Sequence, residues 1–213
     1  MEAIRQRVSE YYGGKVRRHG MTPRGVDWES EPMQRLRFVQ LLKLFEDAPG
    51  PFSLADLGCG YGAMLPFLDE RLPGACARYL GIDCSADMVN RARRLHGTRG
   101  DAAFGMDLGA LGPADYCVAS GVFNVKLDIP EDEWERYAEA VLASMSRHSR
   151  RGFAFNMMAS WPGAASAPEL YRSTPERWVG PCERLGGRVE VLRGYGMREF
   201  TLLVRKPPGA PPD

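Results

Sequence analysis

Net charge is nearly absent from this sequence of 213 residues, in which 28 Lys and Arg side chains stand against 27 Asp and Glu and leave a formal charge of +1. No overall field therefore attracts the chain to nucleic acid or to an anionic membrane. Long apolar runs are also missing, since none reaches the length of a membrane span and the amino terminus lacks the apolar core of a signal peptide. We expect a cytoplasmic protein that binds neither nucleic acid nor membrane.

Regular cysteine spacing is the next absence. The chain has five cysteines, Cys59, Cys76, Cys84, Cys117 and Cys182. They include no Cys-x-x-Cys pair. A disulfide scaffold or a zinc site needs a more regular pattern, so we expect reduced thiols. No grouping of His, Asp and Glu has the spacing of metal ligands, and we expect no metal.

What the chain does contain is an alternation of short apolar runs and helical patterns, in a composition that is 44% hydrophobic. The predicted parallel strands cover residues 53–56, 78–82, 102–106, 114–119 and 152–156. Strand, helix and strand in succession imply right-handed crossovers and helices on both faces of an α/β sheet. The last two runs, 188–193 and 200–205, are joined by too short a connection for a crossover, so they predict an antiparallel hairpin.

About fifty residues precede the first predicted strand. Residues 4–12 predict a short helix that a glycine pair at 13–14 interrupts, and a basic cluster follows at 15–19. A second helix is predicted at 31–45, because a proline stands at its start and apolar residues recur at helical spacing. We divide the chain into a helical amino-terminal cap (1–50), one α/β domain (51–206) and a disordered tail (207–213).

Residues 53–65 read Ser-Leu-Ala-Asp-Leu-Gly-Cys-Gly-Tyr-Gly-Ala-Met-Leu, which is typical of a buried strand, a tight turn and a helix start. The glycines let the backbone approach a ligand where a Cβ would collide. Gly58, Gly60 and Ala63 also satisfy the spacing of a dinucleotide site. Asp56 disfavours that alternative, because a buried carboxylate would repel a pyrophosphate and attract a ligand that carries an ammonium and a sulfonium.

Asp83 is the second anchor of the predicted cofactor site. It lies 21 residues after Gly62, at the end of the second predicted strand. An acid at this position accepts two hydrogen bonds from a ribose diol. Asp-Cys-Ser before a helix is also an ordinary helix entry, but the combination with the glycine turn favours ribose binding.

The stretch Asp-Leu-Gly-Cys-Gly-Tyr-Gly at 56–62 resembles the first motif of the class I methyltransferases that use S-adenosylmethionine. The resemblance implies a Rossmann-like, doubly wound sheet, mostly parallel with a carboxyl-terminal antiparallel hairpin. It implies S-adenosylmethionine as cofactor and S-adenosylhomocysteine as product. The cofactor-binding residues that it implies are Asp56, Gly58, Cys59, Gly60, Gly62, Asp83, Cys84, Met88, Met106, Asp107, Leu108 and Ser120.

The same resemblance implies individual roles. Cys84 and Met88 would flank the adenine, and Ser120 would line the methionine part of the cofactor. Asp107, within Met-Asp-Leu, would take the adenine amino group. Asp101 competes with Asp107 for that role, and both remain open.

The amino-terminal segment is loosely similar to the lead segment of many bacterial small-molecule methyltransferases. Tyr11 and Tyr12 are its candidates for acceptor binding, together with Asn124, which is open to either ligand. Trp28 is expected to stack on the cofactor or to cover it. Arg37 is expected to pair with the cofactor carboxylate or with a neighbouring acid.

We therefore expect a methyltransferase that moves a methyl group from S-adenosylmethionine to a small-molecule acceptor. Transfer requires the acceptor atom to be held in line with the methyl carbon. A base is needed only where the acceptor must lose a proton, and His19 is the candidate because imidazole titrates nearest neutrality. Two alternatives stay open: an NAD(P)-binding oxidoreductase that uses the same glycine turn, and a non-catalytic protein that binds S-adenosylmethionine.

Overall fold

The structure, a computed structural model, describes residues 1–20, 22, 30–163 and 166–207. Apart from Pro207, the tail expected at 207–213 lies outside the described residues. The strands are β1 (Phe52–Leu57), β2 (Cys76–Ile82), β3 (Ala102–Gly105), β4 (Ala114–Ala119), β5 (Ser149–Met158), β6 (Arg188–Arg193) and β7 (Glu199–Arg205). The helices are α1 (Glu2–His19), α2 (Glu31–Leu42), α3 (Met64–Arg71), α4 (Ala86–His96), α5 (Leu108–Leu111), α6 (Glu131–Arg147) and α7 (Pro175–Arg184).

The strands form one sheet in the order β3-β2-β1-β4-β5-β7-β6. Strands β1 to β5 pair in parallel, and β7 lies antiparallel between β5 and β6. The predicted α/β class, the mostly parallel sheet and the carboxyl-terminal antiparallel hairpin are therefore confirmed. The insertion of β7 between β5 and β6 leaves the later strand of the hairpin inside the sheet, where its side chains are almost all buried.

Two apolar clusters cover the two faces of the sheet. Leu54 and Ala55 are neighbours in β1 but belong to different clusters, because successive side chains of a strand point to opposite faces. Helices α1, α6 and α7 contribute to the cluster of Ala55, whereas α2, α3 and α4 contribute to that of Leu54. Helices on both faces make the sheet doubly wound, as the alternation of strands and helices predicts.

Helix α1 is continuous from residue 2 to 19, so the predicted break at the glycine pair was wrong. Gly13 is buried against the start of α4, where a Cβ would lie 3.3 Å from Asp87 Oδ2 and 3.6 Å from Ser85 Oγ. A glycine inside a helix costs about 1 kcal/mol relative to alanine. Close packing against α4 offsets this cost, and the helix continues.

Helix α1 lies over the loops that follow β2 and β3. Arg5 Nη2 donates a hydrogen bond to the Met106 carbonyl at 2.6 Å, and Ser9 Oγ donates to the Cys84 carbonyl at 2.9 Å. Because both carbonyls stand just beyond the carboxyl ends of parallel strands, α1 covers the edge where ligands bind in open α/β sheets.

Helix α7 is absent from the sequence-based expectations. Gly180 and Pro181 lie within its ten residues, and both disfavour a helix interior. Pro175 begins the helix in the first turn, and the buried face contains Trp178 and Cys182. Burial of this face, rather than helix propensity, accounts for the helix.

Candidate functional site

A cleft of about 320 Å³ opens at the carboxyl ends of β1, β2 and β4. Its walls come from the turn after β1, the loops after β2, β3 and β4, and helices α1 and α6. Parallel strands bring these loops to one edge of the sheet, which is why residues far apart in sequence meet here. The predicted cofactor residues that line the cleft are Asp56, Gly58, Cys59, Gly60, Asp83, Cys84, Met88, Met106, Asp107, Leu108 and Ser120.

The turn after β1 has the backbone that its glycines predict. The φ angles of Gly58, Gly60 and Gly62 are 74°, 56° and 84°, in the region that favours glycine. The N–H groups of Gly58 and Cys59 donate to the Ile82 carbonyl at 2.7 and 3.0 Å. These bonds attach the turn to the end of β2, so the two strand ends form one wall.

Packing separates the roles of two of these glycines. A Cβ on Gly58, which lines the cleft, would lie 2.4 Å from Val122 Cγ2 in the loop after β4. A Cβ on Gly62 would lie 2.9 Å from His96 Cδ2 and 3.2 Å from Phe104 Cε1. Gly62 is not among the residues that line the cleft, so its described contacts are with the protein behind the turn.

Asp83 joins the glycine turn to α4. Its Oδ2 accepts the Gly60 N–H at 2.9 Å and its Oδ1 accepts the Ser85 N–H at 2.8 Å. Burial raises the pKa of Asp83 to about 6, although both N–H groups oppose the shift. Each carboxylate oxygen has a second lone pair, so Asp83 keeps the capacity to accept hydrogen bonds from a ligand.

Asp56 lies at the floor of the cleft with only 3% of its surface exposed. Tyr79 donates its hydroxyl hydrogen to Asp56 Oδ2 at 2.5 Å. Burial raises the pKa of Asp56 to about 7; the Tyr79 hydrogen bond opposes this shift and the charge of Asp83 adds to it. A cation bound nearby would favour the ionised carboxylate, which is the chemistry that the sequence predicts for this position.

The loop after β4 depends on a residue that sequence reasoning missed, Asn156 of β5. The Gly121 N–H donates to Asn156 Oδ1 at 2.7 Å, and Asn156 is fully buried. Within the described structure, Asn156 Nδ2 and Ser120 Oγ are buried without a hydrogen-bond partner. Unsatisfied buried polar groups are costly, and Ser120 also lines the cleft, so a ligand there would satisfy its hydroxyl. No local sequence signal distinguishes Asn156 from other residues of a buried strand.

A second cavity, of about 560 Å³, adjoins the cleft, and Tyr12 and Gly121 line both. All three predicted acceptor residues, Tyr11, Tyr12 and Asn124, line this second cavity. Apart from Arg37 and Gly121, its other lining residues carry no site signal in the sequence; they are Met33, Val125, Met158, Glu169, Leu170, Gly196, Met197, Arg198 and Glu199. They come from segments spread over the whole chain, and only the fold brings them together.

Arg37 lies in the wall of the second cavity and pairs with Glu199. Its Nε donates to Glu199 Oε2 at 2.8 Å, and its Nη2 bonds to Oε1 of the same carboxylate. A further bond from Nη1 to the Met33 carbonyl, at 3.1 Å, holds the guanidinium against its own helix. Burial raises the pKa of Glu199, and Arg37 opposes that shift. The sequence predicts either the cofactor carboxylate or a neighbouring acid as the partner of Arg37, and Glu199 is such a neighbouring acid.

Other predicted residues lie elsewhere. His19 is exposed at the end of α1 and lines neither cavity. Trp28 lies outside the described residues. Asp101 bonds to Arg99 at 2.9 and 2.7 Å and does not line the cleft, whereas Asp107 does.

In the described part of the chain, no group of three or more His, Cys, Asp and Glu side chains is arranged to hold a metal ion. Nor is any helix of those residues long and apolar enough to cross a membrane.

Sequence comparison relates the chain to known proteins. A family model described as a methyltransferase domain matches residues 55–152. The Mycobacterium tuberculosis protein named "Putative methyltransferase Rv1506c" is 43% identical over 162 residues, which cover 75% of this chain and 96% of that protein.

Solved structures share the fold at lower identity. Magnesium protoporphyrin IX methyltransferase (ChlM) from Synechocystis PCC 6803, with bound SAH, has a TM-score of 0.66 at 15% identity and covers 95% of this chain and 99% of its own. The DhpI-SAH complex has a TM-score of 0.61 at 14% identity, covering 99% and 100%. The N-methyltransferase NodS from Bradyrhizobium japonicum WM9 has a TM-score of 0.57 at 18% identity, covering 83% and 98%.

Proposed function

Because this chain belongs to the methyltransferase family, we propose that it transfers the methyl group of S-adenosylmethionine to a small-molecule acceptor and releases S-adenosylhomocysteine. The observation that carries the proposal is the pair of adjoining cavities, one at the glycine turn and one beyond Tyr12 and Gly121. The same fold holds S-adenosylmethionine or S-adenosylhomocysteine in solved methyltransferase structures, which supports the choice of cofactor.

The proposed cofactor lies in the cleft. Asp83 accepts hydrogen bonds from the ribose hydroxyls, and Asp56 attracts the positive charges of the ammonium and sulfonium groups. Met88 and Cys84 pack against the adenine. Asp107 accepts a hydrogen bond from the adenine amino group. The unsatisfied hydroxyl of Ser120 gains a partner in the methionine part of the cofactor.

The proposed chemistry is governed by position. Bound S-adenosylmethionine supplies an electrophilic methyl group on its sulfonium. The chain holds the acceptor atom in line with that methyl at the junction of the cavities, where Tyr12 and Gly121 lie. Helix α1 covers this edge of the sheet through its bonds to the Met106 and Cys84 carbonyls. We assign no general base, because His19 is exposed outside both cavities and Glu199 is held by Arg37.

Isothermal calorimetry of the purified chain with S-adenosylhomocysteine, and with NAD as control, tests the proposed cofactor. We expect micromolar binding of S-adenosylhomocysteine and no binding of NAD, because a pyrophosphate at the glycine turn would face the buried carboxyl of Asp56. Binding of NAD, or of neither compound, would contradict the proposal.

A further inference from the structure

Thioether and aromatic side chains make up much of the wall of the second cavity. Met33, Met158 and Met197 line it together with Tyr11 and Tyr12. The two tyrosine rings meet edge to face, with centroids 5.2 Å apart and an interplanar angle of 85°. Thioether sulfur contacts aromatic rings favourably, and further rings pack well against ring edges and faces. A planar aromatic guest therefore matches this wall.

Among the described residues, the buried charges that line the second cavity balance each other. Arg37 and Glu199 are buried and bonded to each other, so each neutralises the other. The other charged residues in the described part of the lining, Arg198 and Glu169, are exposed. The Arg198 guanidinium lies 4.4 Å from the centroid of the Trp161 ring. A charged group carried into this interior would lose its hydration, and the described lining residues offer it no buried counter-charge beyond this pair, which makes its burial costly. The wall therefore favours an uncharged guest.

Asn124 provides a buried polar group near the junction with the cleft. Its N–H donates to the Gly121 carbonyl at 3.4 Å, so the two residues belong to one turn. Its Oδ1 accepts the Met158 N–H at 3.2 Å. Because Oδ1 already accepts this hydrogen bond, the Asn124 side chain would bind a guest mainly by donating a hydrogen bond from its NH₂ group. An oxygen atom of the guest would accept that bond.

We propose, on the basis of the methyl-transfer function above, that the acceptor is an uncharged aromatic molecule and that a ring hydroxyl of it is methylated. The hydroxyl oxygen, held by the Asn124 amide, forms the new bond to the methyl carbon. The bond between that carbon and sulfur breaks with its electron pair staying on sulfur, and the hydroxyl proton goes to water. The ring lies among the methionines and tyrosines.

Four two-ring probes of similar size test the inference by calorimetry on the full chain saturated with S-adenosylhomocysteine: naphthol, naphthoate, naphthylmethylamine and decahydronaphthol. We expect naphthol to bind about tenfold more tightly than each of the others, a difference of about 1.4 kcal/mol. Tighter binding of naphthoate or naphthylmethylamine would overturn the uncharged acceptor, and equal binding of decahydronaphthol would overturn the aromatic one. Binding of S-adenosylhomocysteine without binding of naphthol would overturn this inference and leave the proposed cofactor standing.

Asn124→Asp tests the hydrogen bond, because the variant keeps an oxygen for the Met158 N–H and removes the NH₂ donor. We expect it to weaken naphthol binding about fivefold, with unchanged binding of S-adenosylhomocysteine. Asn90→Asp, the same change at an exposed position of α4, is the control and should alter neither affinity. Equal naphthol affinity in the two variants would overturn the role of Asn124.

Transfer itself has a direct readout. With S-adenosylmethionine in place of the product, naphthol should be converted to its methyl ether, detected by mass spectrometry. Bound naphthol that yields no methyl ether would overturn methylation of the ring hydroxyl.

Discussion

Asp83 shows how one side chain can serve the fold and the proposed cofactor site together. Its oxygens accept N–H groups from Gly60 and Ser85, which fixes the glycine turn relative to α4. The same carboxylate lines the cleft. Asp107 lines the cleft too, but it is exposed and caps α5 by accepting the Gly109 N–H at 2.9 Å. The two acids therefore differ in burial and in the number of backbone groups that they hold.

We expect Asp83→Asn to weaken the binding of S-adenosylhomocysteine by roughly 1–3 kcal/mol, because a charge-assisted acceptor is lost. Asp107→Asn should cost less, since an exposed hydrogen bond competes with water. Calorimetry gives both affinities, and thermal unfolding shows whether either variant has lost its fold. An unchanged affinity in folded Asp83→Asn would contradict the ribose role.

Helix α1 is the element on which both cavities depend, because Val8 and Tyr12 line the cleft and Tyr11 and Tyr12 line the second cavity. The ion pair of Arg17 with Asp87 is largely exposed, and such pairs contribute little to stability. The close approach of Gly13 to α4 is therefore the more important contact of this part of the helix.

The glycine pair offers a matched test of that contact. We expect Gly13→Leu to destabilise the protein by about 1–3 kcal/mol through overpacking and to weaken the binding of S-adenosylhomocysteine. Gly14→Leu should be neutral or stabilising, because a Cβ at Gly14 would meet nothing within 4 Å and leucine is the better helix former. Urea unfolding and calorimetry measure the two effects. Equal behaviour of the two variants would show that α1 does not depend on this packing.

At the scale of the whole molecule, two buried acids make stability depend on pH. The pKa values of Asp56 and Asp83 are raised to about 7 and about 6 from the ordinary value of 3.8. The pKa of each carboxyl is higher in the folded chain than in the unfolded chain. At a pH between its unfolded and its folded pKa, the carboxyl therefore binds more protons in the folded chain. Its contribution to the free energy of unfolding therefore falls as pH rises through this window and becomes constant above it.

We expect the ligand-free protein to lose stability through these two groups as the pH is raised from about 4 to about 7. Asp83→Asn, which cannot titrate, should make the slope shallower between about pH 4 and pH 6, by at most about 1.4 kcal/mol per pH unit. Urea unfolding at a series of pH values measures both slopes. Parallel pH profiles of the two proteins would contradict the raised pKa of Asp83.

The sequence by itself determined the sheet, the glycine turn and the two acids at strand ends. These features depend on local signals: apolar runs, turn residues and short connections are read within a few residues, and parallel strands bring their ends to one edge. Asp56 and Asp83 therefore lie in the cleft as their positions in the sequence predict.

Only the tertiary structure decided which distant residues meet. The glycine pair at 13–14 stays helical because α4 packs against it. Arg37 forms an ion pair with Glu199, which is 162 residues away in the sequence. The amide of Asn156 beneath Gly121 and the second cavity likewise have no local signal. Contacts of this kind depend on packing across the whole fold, which overrides local propensity and carries no sequence period.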